Sequence, residues 1–143
     1  MPFLTWVRFT VGAGTPEGYA KIMFKSKDHT EVFDRAMTNI KYAVELKQKM
    51  NLDVTLGIQM VLTPDFKDEI IPFSKLALDL GVDYGVIKHC SDDEQGSLGI
   101  DYSKYKDMFP LISEAEKMSN DKTKIIAKWS KLENENKTYN RLY

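Results

Sequence analysis

The chain of 143 residues holds a single cysteine, Cys90. One thiol cannot close an intrachain disulfide, which points to a reducing compartment. There are only two histidines, and His29 has no ligand-type residue at useful spacing, which argues against a zinc site. No apolar run approaches the roughly 20 residues that span a bilayer. The opening Met1-Pro2-Phe3-Leu4-Thr5 lacks the charged and apolar regions of a signal peptide, so a cytoplasmic location without membrane attachment is expected. The Asn136-Lys137-Thr138 sequon is then a coincidence. Neither sign of charge dominates: 20 basic against 21 acidic residues leave no field for nucleic acid. Internal repeats and low-complexity segments are absent.

What is present is one domain's worth of alternating strand and helix signals. Leu4–Val11 is a short apolar β-type segment stopped by Gly12-Ala13-Gly14. Thr15-Pro16-Glu17 reads as a helix start, with Thr15 as N-cap and Pro16 in the first turn. A longer helix follows from about Asp28, where Asp28 and Glu31 have capping-box spacing. Its residues Val32, Phe33, Ala36, Met37, Ile40, Ala43, Val44 and Met50 form one apolar stripe, and Lys47 falls on the solvated remainder. Val54–Leu62 is almost continuously hydrophobic, as for a strand covered on both faces. A helix from about Asp68 to Leu80 tolerates Pro72 near its first turn, and Gly81 suits the left-handed position after it. Val82–His89 is the third strand, and 91–100 a polar loop. Ser103–Asn120 is a helix interrupted at Pro110, and Thr123–Trp129 an edge strand. The expected fold is therefore α/β, with βαβ units and a parallel sheet, over residues 1–129. Residues 130–143 read as a polar tail or linker.

Ligands of parallel sheets bind beyond the carboxyl ends of the strands. That rule alone selects Gly12–Thr15, Gln59–Thr63 and the stretch from Lys88 to Asp93. Gly12-Ala13-Gly14-Thr15 is either a tight turn or a cradle of backbone N–H groups for a phosphate or carboxylate. It is neither a dinucleotide fingerprint, since Glu17 replaces the third glycine, nor a P-loop. Adjacent strand residues point to opposite faces, so His89 and Cys90 are badly placed as a catalytic pair, and Cys90 reads as a small buried residue. Asp92-Asp93-Glu94 lacks calcium-loop spacing and reads as a solvated acidic loop. Arg8 and Thr10 share one face of the first strand. Their polar groups need partners, supplied by a structural network or by a ligand.

Val7-Arg8-Phe9-Thr10 followed by Thr15-Pro16-Glu17-Gly18-Tyr19 resembles the fourth strand and following helix of radical SAM enzymes. Phe33–Leu46 resembles the next helix, and Ile58–Thr63 the fifth strand. Gly81-Val82-Asp83-Tyr84, running into Val86-Ile87-Lys88, resembles the entry to the sixth. More weakly, Ile125–Trp129 and Tyr139–Tyr143 resemble the bridge toward a SPASM-type extension.

The resemblance implies strands four to six of a partial TIM-type barrel and S-adenosylmethionine as cofactor. Thr10 would meet its ribose or amino-acid part, with Arg8 alongside at the barrel mouth. Residues 59–63, with Gln59, Val61 and Thr63, would lie near adenine, and Lys88 and His89 would line the mouth. Gly12 stands where the family often has an acidic residue. The CxxxCxxC loop that holds the family's [4Fe–4S] cluster is missing from these residues, which cannot supply three thiolates. The expectation is a fragment of a radical SAM enzyme, inactive alone, that self-associates through an exposed edge at Leu4–Val11. The alternatives are a small nucleotide-binding module using Gly12–Thr15, or a protein-interaction module.

Overall fold

The computed structural model describes residues 3–26, 28–92 and 95–132. The sequon at Asn136, the segment Tyr139–Tyr143, and Asp93 and Glu94 of the acidic loop lie outside them. Four strands, β1 (Trp6–Thr10), β2 (Thr55–Leu62), β3 (Tyr84–His89) and β4 (Lys124–Ala127), form one parallel sheet in sequential order. The fold is α/β, and Thr123–Trp129 does supply an edge strand. Connections are α1 (Pro16–Phe24) and α2 (Thr30–Lys49), then α3 (Ile70–Leu80), then α4 (Phe109–Lys117). Short 3-10 turns, Pro64–Glu69 and Tyr102–Met108, precede α3 and α4. A last turn, α5 (Trp129–Leu132), carries the described chain past residue 129 and buries Leu132.

Local signals explain most boundaries. Thr15 is extended and its Oγ1 accepts from the Gly18 N–H, with Pro16 in the first turn of α1. Gly81 ends α3 at φ 68°, a conformation in which any side chain is strained. Pro110 lies in the first turn of α4. The capping box at Asp28 does not form. Helix α2 begins later, behind His29 in a left-handed conformation without a side-chain cap, so Asp28 and Glu31 no longer occupy the paired positions. Lys47 is not merely solvated: its Nζ lies 2.6 Å from Oδ2 of Asp83, whose carboxylate also accepts the Leu56 N–H.

Because the strands run in sequential order, right-handed crossovers place the connecting helices on one face. The in-register row Phe9, Ile58, Gly85 and Ile125 belongs to that face, and Gly85 lies against Ala77 and Phe73 of α3. With Leu56, Met60, Leu62 and Ile87 these residues build the core against α2, α3 and α4. The opposite face carries Trp6, Arg8, Thr10, Gln59, Val61, Tyr84, Val86, Lys88 and Ile126. None of its apolar members joins the core cluster, and Trp6 is 59 % exposed. The hydrophobic run of β2 was expected to be covered on both faces, and residues of both parities, 56–60 and Leu62, are buried. On the side away from the core cluster Gly57, Gln59 and Val86 are buried as well, the Tyr84 ring lying over Gly57. An apolar run reports burial but not what provides it.

Candidate functional site

Strand parity brings five of the eight expected site residues onto the sheet face opposite the core cluster. Arg8 and Thr10 of β1, Gln59 and Val61 of β2, and Lys88 of β3 fall in adjacent rows across three strands. The row centred on Gln59 is Thr10, Gln59, Val86 and Ile126. Arg8 is exposed, its guanidinium 5.6 Å from the centroid of the Trp6 ring. Thr10 accepts a 3.0 Å hydrogen bond from Gln59 Nε2. Gln59 is only 7 % exposed, and its Oε1 is buried with no hydrogen-bond partner. Reversing the amide would satisfy Oε1 with the Thr10 hydroxyl and orphan the nitrogen instead, so one head atom lacks a partner either way.

The remaining three residues go elsewhere. Gly12, at φ 80°, turns the chain off β1, and its N–H donates to the Gln59 carbonyl at 3.3 Å. Thr63 lies just beyond the end of β2. His89 points to the helix-covered face, against the rings of Tyr102 and Tyr105, with Nε2 3.4 Å from the Ser91 hydroxyl. It does not line an open mouth beside Lys88, because one residue along a strand reverses the face. Tyr105 completes this packing by donating to the Leu62 carbonyl at 2.7 Å, and burial pushes its hydroxyl above the usual phenol range.

The cradle at Gly12–Thr15 exists, and the protein fills it with its own anion. Glu69 Oε2 accepts from the N–H groups of Gly14 and Thr15 at 2.9 and 3.1 Å, and Oε1 accepts from the Thr15 hydroxyl at 2.8 Å. A carboxylate 54 residues downstream of Thr15 thus holds the place of a phosphate. Sequence reading located the donors but not this acceptor, for which no local pattern exists.

Beyond the carboxyl ends of β2 and β3 lies a cavity of about 510 Å³, with Val61, Thr63 and Cys90 in its wall. Burial first, and then the charge of Asp92, raises the Cys90 thiol above its ordinary pKa, so Cys90 has the character of an unreactive thiol. Asp92 is not solvated as expected. It is buried and accepts the Leu98 and Ile100 N–H groups at 2.9 and 3.2 Å, pinning the loop that closes the cavity. Among the described residues no group of three His, Cys, Asp or Glu side chains is arranged to hold a metal, and no helix is long and apolar enough to cross a membrane. No family model matches this chain, and no curated protein matches it either.

Proposed function

We propose that these residues form the S-adenosylmethionine-facing wall of a radical SAM-type partial barrel, holding the adenosyl ligand on the sheet face opposite the core cluster. The observation that carries this reading is the Gln59 amide. A buried polar atom without a partner costs about 1–3 kcal/mol, and here it lies in the row shared with Thr10, on a face whose apolar residues lie outside the core cluster among the described residues. A hydroxyl or amino donor of a ligand laid across that row would satisfy it. Arg8 offers a guanidinium fork to the ligand's carboxylate, and Val61 an apolar contact toward its base. Sequential parallel order with the described helices on one face is also how the strands of an α/β barrel present their inner side. The residues do not fit the family's iron–sulfur cluster, because only one cysteine is present, so no reductive step is assigned to them. The nucleotide reading based on Gly12–Thr15 is the weaker one, since Glu69 already uses those N–H groups.

Calorimetric titration with S-adenosylmethionine tests the reading, with Gln59→Leu as the discriminating variant. Leucine removes the orphaned amide at similar volume, so the fold is expected to melt at an equal or higher temperature. Affinity is expected to fall at least about tenfold, the equivalent of one lost hydrogen bond of about 1.4 kcal/mol. No binding by the parent chain, or unchanged affinity in the variant, would sink the assignment.

The open edge of β1 is part of the same reading. Val11 N–H donates to Gln59, and Thr5 accepts from Thr55, so alternate residues face β2. The backbone groups of Trp6, Arg8 and Thr10 therefore point away from the sheet. Beside that edge runs a groove of about 450 Å³ lined by Phe9, Val11, Tyr19, Ala36 and Ile40. A second copy of β1 brings a matching row of outward backbone N–H and C=O groups, so we assign the edge to isologous strand pairing between two copies. Light scattering is expected to show dimers that dissociate on dilution. Arg8→Pro removes an outward N–H without touching the ladder to β2 and is expected to give monomers. A parent chain that stays monomeric at about millimolar concentration rules the pairing out.

A further inference from the structure

The cavity beyond β2 and β3 has a composition that the sheet face bearing Gln59 does not explain. Its body is apolar: Ile22 of α1, Val61, Phe66, Leu98 and Ile100 supply the wall. Its cationic groups are Lys21 and Lys25 at the end of α1, and Lys104 across the opening. None of these three lysines has an ion-pair partner within 4 Å among the described residues, whereas Lys47 elsewhere does. Asp65 and Asp101 also border the space. Asp101 accepts from both the N–H and the hydroxyl of Ser103, and these bonds, with the charge of Lys104, hold its carboxyl below the usual range and keep it ionised. Three lysines against two aspartates leave positive charge in excess among the described residues that line this apolar hollow.

The walls are held in place by the fold. Lys25 ends α1 at φ 52°, its N–H returning to the Lys21 carbonyl and that of Ser26 to the Ala20 carbonyl. The opposite wall is drawn in by the buried Asp92 carboxylate, and Gly96 and Gly99, both at positive φ, shape its turn. About 510 Å³ falls within the roughly 300–1,000 Å³ typical of small-molecule sites. The position is also the one that parallel sheets use for ligands.

We infer that this cavity binds a phosphorylated small molecule with a flat apolar body, of the aromatic phosphomonoester class. The apolar wall takes the ring, and the three ammonium groups take the phosphate. Phosphate is preferred to a carboxylate because the cations are all lysines. These act as point charges on a multiply charged anion, whereas planar two-oxygen recognition of a carboxylate is the work of arginine, which the wall lacks. The site is independent of the Gln59 row, although Val61 borders both.

Fluorescence titration of the full chain with 1-naphthyl phosphate, against uncharged 1-naphthol, tests the proposal. The phosphate ester is expected to bind at least about tenfold more tightly, with affinity falling as salt rises. Inorganic phosphate is expected to compete. Lys21→Glu and Lys104→Glu are expected each to weaken 1-naphthyl phosphate roughly three- to tenfold, and together to bring it to the level of 1-naphthol. Both positions are exposed, so melting temperatures should hold. S-adenosylmethionine affinity should not change in these variants, and Gln59→Leu should leave 1-naphthyl phosphate binding intact, which separates failure of one site from failure of the other. Equal affinities for ester and alcohol, or no loss on charge reversal, would overturn the site; the salt dependence of the parent chain decides the question without any variant.

Discussion

Gly14→Ala is expected to cost more than about 3 kcal/mol, a large share of a small domain's stability, and to leave little cooperatively folded protein at room temperature. A Cβ at Gly14 would lie 2.1 Å from both the carbonyl carbon of Pro72 and the nitrogen of Phe73. These are backbone atoms of the first turns of α3, and the turn cannot withdraw, because the Phe73 side chain is fully buried beneath the sheet. Nor can Gly14 withdraw easily, since its N–H is bonded to Glu69. Gly96→Ala is the control. Nothing lies within 4 Å of its added carbon, and only its φ of +65° is strained, so a loss of about 1 kcal/mol is expected. Urea denaturation followed by circular dichroism compares the two. Similar losses at both positions would mean that the Gly14 contact relaxes.

Glu69→Ala is expected to destabilise by about 2–4 kcal/mol, because two backbone N–H groups and a hydroxyl lose a charged acceptor at once. The expected loss is smaller in Glu69→Gln, which keeps the shape and one acceptor oxygen but not the charge. Thr15→Val removes only the hydroxyl partner of Oε1 and the side-chain cap of α1. The double variant Glu69→Ala/Thr15→Val should therefore cost less than the sum of the singles, a coupling of about 0.5–3 kcal/mol. Strict additivity, or a Glu69→Ala loss within about 0.5 kcal/mol, would show that the carboxylate does not clamp α1 to α3.

Both predictions concern a junction that sequence reading half resolved. Thr15-Pro16-Glu17 announced a helix start, and the glycines announced a turn able to receive an anion. Those are interactions over three or four residues, governed by capping and backbone freedom. The acceptor, Glu69, is 55 residues from Gly14, and its approach depends on how α3 packs. The same division applies at Asp92. An acidic run looks solvated until a fold gives one carboxylate two backbone N–H groups to hold.

The candidate site divides in the same way. Period-two alternation placed Arg8 and Thr10 together and separated His89 from Cys90, and the same rule parts Lys88 from His89, which the resemblance had set side by side at the mouth. Alternation carried no information about which of the two faces the helices would cover. The run in β2 was read as covered on both faces, and its residues are buried on both sides, but hydrophobicity does not say whether helices or neighbouring strands provide the cover.

By itself, then, the sequence determined the α/β class, the parallel sheet implied by alternating elements, the start of α1, the end of α3 and the break at Pro110. Each depends on forces that act within a few residues. The tertiary structure alone decided that the described helices gather on one sheet face, that Gln59 is buried on the other with an unmatched amide atom, and that Glu69 occupies the cradle of α1. It also brought Lys21, Lys25 and Lys104 around one cavity. These outcomes depend on side chains tens of residues apart meeting across packed layers, and no short-range pattern encodes such meetings.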